Sequence, residues 1–101
     1  MERRRDTRKT GSQIPPEYRQ LILEFESGDT YEGTVQDISE KGLSIDIPIA
    51  PNKIHDFMVT IHTKDNSRTA TEEIANFSSS GNGGSRLGIL FSGKNIFFDN
   101  P

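Results

Sequence analysis

A chain of 101 residues without cysteine has room for one domain and cannot build a disulfide, an iron–sulfur cluster, a thiolate zinc site or a cysteine nucleophile. Hydrophobic residues make up 31% of it, so the core must be lean, and no apolar run approaches the ~20 residues of a membrane-spanning helix. The formal charge of −3 hides a division: residues 1–10 carry five basic and two acidic side chains, the rest seven basic and thirteen acidic.

The chain starts MERRRDTRKT, charged where a secretory signal needs an apolar stretch of roughly 7–15 residues. A cytoplasmic protein without direct membrane insertion is expected. Gly11 to Pro16 holds two prolines and no periodicity, which reads as an extended connector. Residues 1–16 are therefore expected to be a flexible basic arm and connector.

From Tyr18 onward apolar residues alternate, as in half-buried strands. Leu21, Leu23 and Phe25 share one face, and Leu43, Ile45 and Ile47 share another. Similar runs span Tyr31 to Ile38, Phe57 to Ile61 and Leu87 to Phe91, with a less regular one from Thr69 to Phe77. Turn chemistry separates them at Ser27-Gly28-Asp29, Glu40-Lys41-Gly42, Pro51-Asn52 and Asp65-Asn66-Ser67. The run from Ser78 to Ser85 reads as a flexible loop. About six short strands predict an all-β fold, and closure into an antiparallel barrel over residues 17–101 removes the open edges that a small sandwich would leave. After Phe91 no helix is evident, and Ile96, Phe97 and Phe98 are expected to cap the barrel or enter a partner's interface.

Four arginines within six positions narrow the ligand class. A guanidinium is a planar fork that meets phosphate oxygens, or the O6/N7 edge of guanine, two bonds at a time. Arg4 and Arg8 stand four apart, and Asp37-Ile38-Ser39-Glu40-Lys41-Gly42 follows at the junction of two strands. Together these resemble the PilZ domain, whose signature is an RxxxR arm followed by a D/N-x-S-x-x-G turn. Arg3 completes the doublet form of the arm, and Gly88-Ile89-Leu90-Phe91 is similar to that family's late G-x-x-F strand. Lys9-Thr10-Gly11 departs from the family's usual entry into an apolar strand.

The resemblance implies a six-stranded PilZ-like barrel that binds the bacterial second messenger cyclic di-GMP and signals to a protein partner controlling motility, pili, exopolysaccharide or biofilm. The ligand residues it implies are Arg3, Arg4, Arg8, Asp37, Ser39 and Gly42. Their chemistry suits that ligand: Asp37 as a carboxylate accepts from the adjacent N1 and N2 donors of guanine, and the Ser39 hydroxyl donates or accepts. Gly42 is expected to take a positive φ or to let the base approach the backbone. The arm is expected to fold over the ligand and so carry the signal.

No cofactor and no catalysis are expected. Ser39 lacks a G-x-S-x-G elbow, His55 and His62 have no clustered ligands, and SSSGNGGS lacks the Lys of a phosphate-binding loop. The alternative is a ligand-free interaction module of the same fold, serving pilus or motility assembly. A nucleic-acid polymer is a poor partner for an acidic body with 8% aromatics and no Trp.

Overall fold

The computed structural model describes residues 8–98. Among the described residues there are seven strands: β1 Arg8–Thr10, β2 Gln20–Glu24, β3 Thr30–Ser39, β4 Gly42–Ile47, β5 Met58–His62, β6 Thr69–Gly81 and β7 Gly84–Leu90. All pairings are antiparallel. The order β3-β2-β5-β6-β7-β4 closes on itself because β4 also pairs with β3, giving the expected six-stranded barrel.

Alternation decides which side chains fill it. Leu21 and Leu23 of β2, Leu43, Ile45 and Ile47 of β4, Val59 and Ile61 of β5, and Leu87 and Ile89 of β7 are buried, one residue in two as the pleat requires. Neither β1 nor a helix contributes to closure. β1 is a short seventh strand lying end to end with β2 along one edge of β3: β2 pairs with Thr30–Thr34 and β1 with Asp37–Ser39.

Residues 8–16 differ from the flexible arm and extended connector expected for them. Arg8–Thr10 is a strand, Gly11–Gln13 and Pro16–Tyr18 are 3-10 turns, and Ile14 and Tyr18 are buried in the core. The physical reason lies partly in Arg19, whose Nε donates to the Ile14 carbonyl at 2.8 Å and whose Nη2 donates to that of Ser12 at 3.2 Å. A solitary Ile between polar residues and prolines has no period to betray it. The expected mobility of the first seven residues, Arg3 and Arg4 included, lies outside the described residues.

The loop expected from Ser78 to Ser85 is also replaced. β6 and β7 continue outward as a ribbon and reverse at Asn82-Gly83 alone, with Gly81 paired to Gly84. Asn82 has φ 52° and Gly83 φ 79°, the left-handed pair that a tight two-residue hairpin demands and that Asn-Gly supplies.

The chain's end closes the barrel. Phe97 is fully buried and Phe98 nearly so, with the Phe97 ring packed edge-on to Tyr18 at 5.7 Å and to Phe91 at 6.1 Å. Of the two roles expected for these phenylalanines, capping is the one observed. No described helix is long and apolar enough to cross a membrane.

Candidate ligand-binding site

β3 and β4 are joined through Glu40 and Lys41, with Ser39 opposite Gly42. Before the turn, a β-bulge interrupts the pairing between Val35 and Asp37. It resets the alternation: Val35 and Ile38, three apart, are both buried, and Asp37 is turned to the outer face opposite Ser44. Bulges commonly re-aim a side chain in this way.

Register then builds a row across the outside of the barrel. Thr10 of β1 stands opposite Asp37, Asp37 opposite Ser44, Ser44 opposite Gly88, and Gly88 opposite Asn76. A second bulge, between Ile74 and Asn76, brings Asn76 into line. Gly88 has no side chain, and the Asn76 carboxamide lies over it: a Cβ there would stand 2.7 Å from Asn76 Oδ1. A cleft of about 380 Å³ follows the row, with Arg8, Asp37, Gly42, Ser44, Asn76 and Gly88 on its walls.

Paired charges stand in this cleft and beside it. Arg8 Nη1 donates to Asp37 Oδ1 at 2.9 Å, and the two side chains are 57% and 27% exposed, so both remain open to a ligand. Next to them Arg86 meets Asp46 through two hydrogen bonds, Nε to Oδ1 at 2.7 Å and Nη2 to Oδ2 at 3.1 Å. The hydrogen bond and charge of Asp46, with a smaller contribution from Asp37, hold the Arg86 guanidinium above its ordinary pKa.

The six residues proposed from the sequence fare differently. Arg8 and Asp37 are brought together by the β1–β3 pairing. Arg3 and Arg4 lie outside the described residues. Ser39 lines the cleft but is only 4% exposed, and its hydroxyl makes a long bond, 3.5 Å, to the Gly42 carbonyl. Gly42 does not have the positive φ expected. Its Cβ would run into the Ile89 carbonyl of β7, so the position is glycine because two strands approach closely there.

Other contributors were not singled out in the sequence. Ser44 is legible in retrospect, being the outward residue between buried Leu43 and Ile45. Asn76 is not, because a bulge sets its direction. Asn95 is 1% exposed and lies beneath the turn, its Nδ2 donating to the carbonyls of Ser39 at 2.8 Å and Gly42 at 3.1 Å.

A larger open groove of about 1090 Å³ runs between Gly11–Gln20 and Thr63–Arg68 and contains none of the motif residues. Its two arginines are spent on backbone carbonyls, Arg19 as above and Arg68 on Ile96 at 2.7 Å. Among the described residues no group of three or more His, Cys, Asp or Glu could hold a metal ion.

A small closed antiparallel barrel with a shallow surface cleft, and a guanidinium and a carboxylate beside a tight hairpin, defines a ligand-binding module. The family model of the PilZ domain matches residues 2–96, and the chain belongs to that family. PilZ domains are ligand-binding and adaptor modules, a family of cyclic di-GMP receptors. No curated protein matches the chain.

Proposed function

We propose that this protein is a cytoplasmic cyclic di-GMP receptor that binds its ligand in the cleft beside the β3–β4 turn and passes occupancy to a protein partner in motility, pilus, exopolysaccharide or biofilm control. One observation carries the reading: Arg8 and Asp37, the last residue of the RxxxR arm and the first of the DxSxxG turn, are 29 positions apart and in hydrogen-bond contact.

The chemistry is complementary. Cyclic di-GMP offers two phosphates and two guanines. Arg8 uses one donor on Asp37 and has others for a phosphate or for guanine O6/N7. Asp37 keeps an oxygen for guanine N1 and N2. An exposed ion pair of this kind is worth about 0–1 kcal/mol, whereas each charge-assisted bond to the ligand returns roughly 1.5–3 kcal/mol. Ligand entry therefore rearranges the pair at little cost. Arg4 is four residues from Arg8, which lines the cleft, and four residues of extended chain span at most ~14 Å.

The adaptor reading, without ligand, draws on an exposed apolar patch that adjoins the cleft at Leu90. Phe57 is 82% exposed, and Met58 and Leu90, also exposed, face Glu73 from either side. Titration calorimetry with cyclic di-GMP separates the two readings. Saturable heat is expected, lost or weakened at least ten-fold in Arg8→Ala and Asp37→Ala, with melting temperatures within a few degrees of the parent. Folded protein that gives no heat overturns the receptor reading and leaves the adaptor.

A further inference from the structure

Two-residue hairpins favour turns with positive φ, because only those match the right-handed twist of the strands. The β3–β4 hairpin has two turn residues, Glu40 and Lys41, and both keep negative φ. A turn of this hand splays its strands unless something else holds them. Three contacts converge on it from beneath: the Phe91 amide donates to the Lys41 carbonyl at 2.8 Å, and Asn95 Nδ2 donates to the Ser39 and Gly42 carbonyls. Asn95 Oδ1 in turn accepts the Phe97 amide at 2.9 Å.

We infer that Asn95 is the positioning residue of the ligand turn: its carboxamide, 53 to 56 positions away in the chain, fixes the gap between Ser39 and Gly42 and so the direction in which Asp37 and the turn backbone meet a ligand. The inference rests on the receptor reading above. A carboxamide is suited to this because it offers two donors on one nitrogen and an acceptor on the same planar group, and here all three are used. The phenylalanines that follow place it: Phe97 is anchored in the core, and Phe98 lies beneath Lys9, whose Nζ is 4.9 Å from the ring centroid. The chain's end thus touches both halves of the site, β1 through Phe98 and the turn through Asn95.

Asn95→Asp tests this. It keeps the volume, so no cavity is added, but it cannot supply both donors: ionised it sets carboxylate oxygens against two carbonyls, and protonated it donates only once. Binding of cyclic di-GMP is expected to weaken at least ten-fold in Asn95→Asp and in Asn95→Ala. Ile61→Val, a core change on β5 away from the turn, serves as the control: it should lower the melting temperature and leave the dissociation constant within two-fold. If Asn95→Asp folds and binds as the parent does, the inference fails while the receptor reading stands. If the parent itself gives no heat, both fail. Should neither Asn95 variant fold, the parent decides: the Asn95 side-chain amide resonances are expected to shift as cyclic di-GMP is added, and unchanged resonances at saturation overturn the inference.

Discussion

The barrel has two hairpins with two-residue turns, and they are stabilised in opposite ways. Asn82-Gly83 carries its geometry in its own sequence, with both residues at positive φ and the β6 side of the ribbon, residues 77–81, exposed. Glu40-Lys41 has no such local preference. It relies on Gly42 packed against the Ile89 carbonyl, on Phe91, and on a buried Asn95. A self-sufficient turn tolerates changes elsewhere in the molecule, whereas a braced turn responds to them. The turn carrying the ligand motif is the braced one, so its shape is coupled to the chain's end.

Phe97→Ala should break the contrast most severely. It empties the position that seats Asn95 and costs about 3–5 kcal/mol, a large share of the ~5–15 kcal/mol typical of a whole domain. Denaturant titration should show that loss, and amide exchange should quicken at Glu40–Gly42 while the β6–β7 ribbon keeps its register. Gly42→Ala comes next. Its new Cβ meets backbone, which cannot rotate away, so the cost lies toward the upper end of the ~1–3 kcal/mol of overpacking. Gly83→Ala sharpens the comparison from the other side. Nothing lies within 4 Å of a Cβ there, and the cost is only that of a left-handed alanine, ~1–2 kcal/mol. Ligand binding should be unaffected. Equal losses in the two glycine variants would mean that the two turns are not held differently.

The sequence declares most of the barrel, because a face buried on one side imposes a period of two that Leu21-Leu23 and Leu43-Ile45-Ile47 display openly. Departures from that period are where legibility failed. Val35 and Ile38 are three apart because a bulge lies between them, and the same kind of bulge sends Asn76 to the outside. Ile14 is a single apolar contact with no neighbours to form a pattern. The serine-glycine run hides a strand ribbon, since an exposed ladder needs no apolar residues, yet its Asn-Gly pair is a hairpin signal in plain sight. Within the site, the pairing of Arg8 with Asp37 agrees with the motif. The support under the turn could not be foreseen, because Asn95 acts on it from 53 to 56 residues away and an asparagine in a Gly/Asn/Pro-rich tail reads as a loop residue.

A third turn, Thr63 to Arg68 between β5 and β6, provides the smallest and most specific effect. It too is locally organised, but by a charge. The Ser67 amide donates to Asp65 Oδ1 at 3.0 Å, and the Thr63 hydroxyl donates to the same oxygen at 2.8 Å. The bonds from Ser67 and then Thr63 lower the Asp65 pKa from 3.8 to about 2, because they favour the charged form. A carboxylate with a depressed folded-state pKa adds stability above its unfolded pKa and loses it as pH falls through the folded value. The contribution of Asp65 should therefore be complete above about pH 4 and vanish toward pH 2. Asp65→Asn keeps an acceptor in place but has no proton to gain. Its melting temperature should lie slightly below the parent's at pH 7, and the two should converge between pH 4 and 2, which melting curves at stepped pH would show. A gap that stays constant over that interval would mean that the carboxylate's charge does not hold this turn, leaving Asn66, at φ 61°, to do so by conformation alone, as Asn82-Gly83 does.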